Sequence, residues 1–219
     1  MSASTAPASA APTAVRDEPA LFRLPTELLL DVLSQLSYEE LHKVEQVSRR
    51  LRTLAKDQQL DRNLFRAKFT SEDFASSTSV KLHPLMEAVY AVHVDAEDAP
   101  ILVYNGEIDT YNAYGYSACD EFVTKPTCKA LLVDLGVGPP FFLRNSEGVK
   151  NRQAFRAIGK FWAEKLPWDI AEELAEPGQS LESVRWHDAL GDRCGWTGWR
   201  QPSNMGDGTV GITAGRYDS

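Results

Sequence analysis

Cysteine and histidine are the side chains best able to do covalent or metal chemistry near neutral pH, and the chain has three of the first and four of the second. His187, Asp188 and Cys194 fall close together. A thiolate beside a histidine that a carboxylate orients would be the machinery of a cysteine hydrolase. These three lie in no nucleophile motif, however, and Cys119 and Cys128 sit among β-type and loop residues, so inert thiols are expected. His42, His83 and His93 are scattered singly. Zinc takes Cys or His in paired short spacings, which the chain lacks, so neither a metal nor a catalytic residue is expected. Gly136-x-Gly138 runs into Pro139-Pro140-Phe141-Phe142 with no helix start to aim backbone N–H groups at phosphate. No nucleotide or other cofactor is expected.

Binding residues are better represented. Arg49, Arg50 and Arg52 are interleaved with Leu51 and Leu54 at helical spacing, which reads as a solvated face or as contacts to acids on a partner, with a localisation signal as the lesser alternative. All five tryptophans, Trp162, Trp168, Trp186, Trp196 and Trp199, fall in the last third of the chain. Trp162 has the apolar neighbours of a helix stripe and reads as core. Trp196 and Trp199 stand among glycines with little aliphatic company; since aromatic side chains anchor many interfaces, they are candidate contacts for a target protein, with core packing as the competing reading.

The elements that must position these residues follow from length and pattern. A chain of 219 residues makes one large domain or two small ones. With 43% apolar, 25% charged and 10% aromatic residues it can build a packed core. No apolar run approaches the roughly 20 residues of a spanning helix, so no membrane role is expected. The formal charge of −8 repels polyphosphate, which argues against nucleic acid as the main partner. An odd number of cysteines without an apolar leader points to a reducing compartment, cytoplasm or nucleus. Residues 1–20, built from Ala, Ser, Thr and Pro, read as a disordered tail. Arg16 is followed at once by Asp17 and Glu18, unlike the Arg-rich, acid-poor pattern of a mitochondrial presequence.

From Phe22 to Phe69 the periodicity is helical. Leu28, Leu29, Val32, Leu33 and Leu36 form one apolar stripe on a helix entered through Pro25, whose missing N–H has no intrahelical partner to lose. Ser37 and Glu40 fit a capping box that starts a second helix. Leu41, Val44, Val47, Leu51 and Leu54 follow it, with a break near Gln46, and Leu60, Leu64, Phe65 and Phe69 continue the helix after Asp57. Residues 70–100 read as an acidic connector holding one short helix begun by Pro84 and carrying Leu85, Met86, Val89 and Val92. Residues 101–219 read as an α+β domain, with strands at 101–104, 130–135, 140–143 and 209–213 and helices at 152–166 and 168–174.

A helical unit of fewer than about 50 residues rarely makes a self-sufficient core. One this apolar must cover its surplus surface with the rest of the chain or with another protein, because each exposed aliphatic side chain forgoes roughly 1.5–3 kcal/mol of burial. The residue order favours another protein. Leu24-Pro25-x-Glu27-Leu28-Leu29, then Val32-Leu33, Leu36, Leu41, and Val47-Ser48-Arg49-Arg50-Leu51-Arg52-x-Leu54-Ala55 resemble the F-box, by which substrate receptors attach to Skp1 in cullin-based ubiquitin ligases. Leu51 and the Leu60-Asp61 pair stand where the family often has tryptophan, and Asp61 cannot replace a buried indole. The resemblance implies that Leu24, Pro25, Leu28, Leu29, Val32, Leu33, Leu36, Leu41, Val44, Val47 and Leu51 contact a Skp1-like adaptor and, through it, a cullin.

The later motifs Lys81-Leu82-His83-Pro84-Leu85, Thr124-Lys125-Pro126, Asn145-x-x-Gly148-Val149, Gly195-Trp196-Thr197-Gly198-Trp199 and Arg216-Tyr217-Asp218-Ser219 are similar to a group of fungal F-box proteins. That likeness implies a chain ending at Ser219 and a C-terminal domain that selects a target for ubiquitination and degradation. The whole reads as a non-catalytic adaptor: a small N-terminal helical F-box followed by a mixed α+β domain. Its alternatives are an enzyme or small-ligand sensor tethered to Skp1, and a Skp1-binding protein that never joins a cullin.

Overall fold

A computed structural model describes residues 20–77, 79–92, 101–103, 111–112, 117–190 and 198–215. The expected N-terminal tail falls almost entirely outside them, and Cys194, Trp196 and His93 fall outside altogether.

A 3-10 turn at Ala20–Arg23 leads to Pro25, which opens α1 (Thr26–Ser34), with Glu27 in the first turn where the helix dipole favours a negative charge. The capping box forms at α2 (Tyr38–Val47): Glu40 N–H donates to Ser37 Oγ at 3.3 Å and Ser37 N–H to Glu40 Oε2 at 2.8 Å. Those donors hold the Glu40 carboxyl below its ordinary range. The break comes at Ser48, whose extended backbone stops α2 and whose hydroxyl accepts the Leu51 N–H, starting α3 (Arg49–Leu54). The helix expected after Asp57 does not form. A 3-10 turn at Gln58–Leu60 leads into a bend in which the Arg66 and Ala67 amides both donate to the Asp61 carbonyl, at 2.8 and 3.2 Å. The reason is packing: Leu60 and Leu64 fill the helical core with Leu30, Leu33, Leu41 and Leu51, and a left-handed backbone at Phe65 (φ 53°) turns that ring toward the rest of the chain.

The 70–100 segment is more than a connector. Phe74 on α4 (Ser71–Ser76), Val80, Leu82 on β1 (Lys81–Leu82), and Leu85 and Met86 on α5 (Pro84–Glu87) all belong to the main apolar core. His83 caps α5 by accepting the Leu85 N–H on Nδ1 at 2.9 Å. That helix stops at Glu87, and Val89 and Val92, expected on it, lie on strand β2 (Val89–Val92), paired with β3 (Ile101–Val103) and through it with β4 (Tyr111–Asn112). Strand β5 (Thr124–Lys125) pairs antiparallel with β1.

The largest sheet runs in the order β7-β6-β9-β8. β6 (Ala130–Asp134) and β7 (Phe141–Arg144) form a hairpin, while β6 and β9 (Thr209–Thr213) are parallel, so the chain must cross over between them. α6 (Asn151–Ala163) and α7 (Trp168–Leu174) lie in that crossover. Phe155, Ile158 and Trp162 on one face of α6 share a buried core with Leu131 and Val133 of β6 and Val210 and Ile212 of β9. The last hairpin, β8 (Ser203–Gly206) to β9, turns on Asp207 and Gly208, both at positive φ, the conformation a two-residue turn of this twist needs. The N-terminal region is thus helical and the C-terminal region is α+β, as the sequence predicts.

Gly136-x-Gly138 joins β6 to β7, and its role is packing. A Cβ on Gly138 (φ 67°) would sit 2.8–2.9 Å from three ring carbons of Trp186, whose indole stacks on Phe161 at 5.4 Å. Gly138→Ala is therefore expected to destabilise the chain by roughly 1–3 kcal/mol, read as a lowered melting temperature. An unchanged melting temperature would mean that Trp186 moves aside without cost.

Candidate functional site

Helix α1 divides the expected stripe into two faces. Leu29, Leu30 and Leu33 point inward and are buried, whereas Leu28 and Val32, four residues apart, are about half exposed, with Pro25 exposed one turn before them. Leu21 and Val47 are also exposed. The lead-in that presents this face is held by Arg50, whose guanidinium donates to the Phe22 carbonyl and, at 3.0 Å, to the Leu24 carbonyl. Arg50, expected to be solvated or to meet a partner, is thus an internal clamp. Arg52 Nε donates to the Glu45 carbonyl at 3.1 Å, and Arg49 and Arg52 are both exposed.

The expected contact residues therefore separate. Leu29, Leu33, Leu41 and Leu51 are buried within the chain, Pro25, Leu28, Val32 and Val47 are exposed, Leu24 is half-buried, and Leu36 and Val44 are half-buried against the helical core. The 3.6-residue period could not assign the two faces, since leucines occupy both. Among the described residues this outward apolar row stays uncovered while the inward row of the same helix is filled. Its burial by another molecule returns about 1 kcal/mol for each half-exposed aliphatic side chain.

Residues 21–67 match the family model for the F-box-like domain. The chain carries an F-box-like domain. The resemblance read from Leu24 to Ala55 is borne out for this domain. No curated protein and no solved structure matches the chain.

A polar cluster that the sequence did not suggest ties the F-box-like domain to the C-terminal region. Its centre is Glu121, buried, with four donors converging on its carboxylate and backbone. Tyr38 Oη of α2 donates to Oε2 at 2.9 Å, Arg66 Nε to Oε1 at 2.8 Å, and Asn151 N–H to the Glu121 carbonyl at 3.0 Å. His83 Nε2 lies 3.0 Å from Oε2; because Nδ1 already accepts from Leu85, Nε2 carries the proton and donates. The rings of Tyr38, Phe65 and His83 meet edge to face or tilted at 4.7–5.6 Å. Burial pushes the Glu121 carboxyl up, but the hydrogen bonds from His83 and Arg66, the Arg66 charge and the Tyr38 hydroxyl outweigh it and leave the group below its ordinary range. Burial lowers His83 against the pull of Glu121, so the imidazole is neutral. Burial and the Glu121 charge raise Tyr38, which stays a donor.

The Tyr38 hydroxyl, the His83 Nε2–H and the Arg66 Nε–H all converge on one carboxylate, which is the arrangement of a clasp. The residues considered for chemistry give the same answer. Burial pushes the Cys119 and Cys128 thiols up to about 11, the reverse of what a nucleophile needs. His187 Nε2 pairs with Asp188 Oδ1 at 3.0 Å while Nδ1 faces the Trp162 carbonyl at 3.4 Å, and Cys194 lies outside the described residues. Trp199 is half-buried, packs on the main core, and donates its indole N–H to the Met86 carbonyl at 2.8 Å. It also lines a cleft of about 680 Å³ between the F-box-like domain and the C-terminal region. Among the described residues no helix is long and apolar enough to cross a membrane.

Proposed function

We propose that the protein is the substrate-recognition adaptor of a Skp1-cullin ubiquitin ligase. The F-box-like domain docks on a Skp1-type protein through Leu24, Pro25, Leu28 and Val32, and through it on a cullin. The C-terminal region holds a target protein for ubiquitination and degradation, with Trp199, which lines the cleft, and Trp196 as contacts. The chain performs no covalent step; its contribution is proximity, which raises the effective concentration of the target beside the conjugating enzyme. In this reading the protein works in a reducing compartment, the cytoplasm or nucleus, and binds neither nucleic acid nor membrane.

The observation that carries the reading is the outward row of Pro25, Leu28 and Val32 on a domain that matches the F-box-like family. The clasp at Glu121 supports it in a second way, because a receptor must hold its target at a fixed distance from the ligase. The test is assembly from purified parts. The full chain, a Skp1-type protein and a cullin are expected to co-elute as one ternary complex. Co-elution with the Skp1-type protein but not the cullin would reduce the protein to a Skp1 binder, and failure of both would end the adaptor reading.

A further inference from the structure

The residue register of the small β1–β5 pair sets two lysines directly opposite each other, Lys81 against Lys125, on one face of the two strands. Like charges so placed destabilise a strand pair. Nothing in the chain offsets them: among the described residues neither ammonium forms an ion pair, and Lys125 Nζ reaches only Asn63 Oδ1, at 3.4 Å. Burial first, then the charges of Lys81 and Arg62, hold Lys125 below the usual lysine range.

The pair sits where two clefts meet. On one side is the cleft of about 680 Å³, where Arg200 adds a third cation against the single carboxylate of Glu87, and where the Phe65 and Trp199 rings supply apolar wall. On the other side a cleft of about 260 Å³ shares Lys81, Lys125 and Phe65 and adds Arg62 and Lys68, the latter paired with Glu147 at 3.8 Å. Its one carboxylate, Asp73, is already paired with Arg62 at 3.0 Å. The result is a basic trough with the Phe65 and Trp199 rings in its wall, at the junction of the F-box-like domain with the C-terminal region.

We propose that this trough binds an extended acidic segment of the target protein, with an anionic side chain seated between Lys81 and Lys125. The inference rests on the adaptor reading and adds to it the chemistry of what is recognised. A peptide in which anionic and apolar side chains alternate matches the lining.

The test is fluorescence anisotropy with the full chain and four labelled probes: a short peptide alternating leucine and glutamate, the same peptide with phosphoserine replacing glutamate, the same with lysine, and a short single-stranded RNA. One or both anionic peptides are expected to bind, more weakly as salt rises, and the tighter of the two identifies carboxylate or phosphate as the favoured anion. Lys81→Glu and Lys125→Glu are each expected to weaken binding by roughly tenfold or more. The neutral variants Lys81→Gln and Lys125→Gln are expected to weaken it less and to melt no lower than the parent, since either one removes the like-charge opposition. No binding of either anionic peptide, equal binding of the lysine peptide, indifference to both charge reversals, or tighter binding of RNA would each overturn the proposal. Capture of a Skp1-type protein is measured on the same preparations. Peptide binding without that capture leaves the trough standing and removes the adaptor reading; capture without peptide binding removes the trough alone.

Discussion

A full chain carrying Leu28→Asp is expected to lose capture of a Skp1-type protein while keeping its fold. Leu28 is 50% exposed on the outward face of α1, so a carboxylate there is solvated in the unbound chain and the helix core, formed by Leu30, Leu33, Leu41, Leu51, Leu60 and Leu64, is untouched. In a complex the same carboxylate would be buried against apolar surface without a partner, a penalty of roughly 3–5 kcal/mol, or between a hundredfold and several thousandfold in affinity. Leu33→Asp is the contrasting variant. Leu33 is 4% exposed, so its loss of capture should come with loss of helical circular dichroism and a collapsed melting transition. Undiminished capture by Leu28→Asp, and again by Val32→Asp, would show that this face is not the docking surface.

The second large effect is expected at Glu121. Glu121→Ala leaves the Arg66 guanidinium, the His83 Nε2–H and the Tyr38 hydroxyl without their common acceptor. Breaking a buried pair from one side costs about 3–5 kcal/mol, and because Arg66 is 28% exposed, solvent offsets part of the loss and the lower end applies. A chain that unfolds in two transitions once Glu121 is gone, against one in the parent, would identify the cluster as the joint between its two cores. An unshifted melting temperature would reject the clasp.

The same cluster fixes the sign of the pH dependence. His83 has a lowered folded-state value, so below the ordinary histidine range of about 6.5 the unfolded chain takes up a proton that the folded chain refuses. Stability contributed by the buried neutral imidazole is complete above that range and falls as pH drops through it. Glu121 is also lowered and acts in the same direction further down, below about 4.3. Both losses lie on the acid side. His83→Asn keeps a side-chain acceptor for the Leu85 N–H and removes the titrating ring, so the slope of stability between about pH 7 and 5 should flatten. A slope equal to that of the parent would assign the acid sensitivity to other groups.

What could be read in the sequence was whatever local order determines. The Ser37–Glu40 box, Pro25 at the start of α1, Pro167 before α7 and the alternation of β9 each announce themselves within a few residues, and each forms. The misreadings have equally physical causes. Val89 and Val92 are three apart, which suits a helix, but a strand partner at Ile101–Val103 captured them. Asp207-Gly208 is a turn signal that would have revealed β8. The face of α1 that holds its own core could not be told from the face left outside, because both are leucine-rich and only tertiary packing distinguishes them. Glu121 was illegible for another reason: its partners lie 38, 55 and 83 residues away, and no pattern in the residues around it marks a carboxylate that will be buried.

The parallel pairing of β6 with β9 has a consequence for the order in which the protein can be made. About 80 residues separate the two strands, so β6 leaves the ribosome long before its inner neighbour exists; at roughly 5–20 residues per second the delay is about 4–16 s. Throughout that interval an apolar strand whose Leu131 and Val133 end fully buried has only β7 beside it and one open edge. The nascent chain therefore passes through a stage at which its F-box-like domain is already synthesised while its C-terminal sheet cannot close. A premature stop anywhere between β7 and β9 would release that half-built sheet permanently, in a form suited to degradation itself.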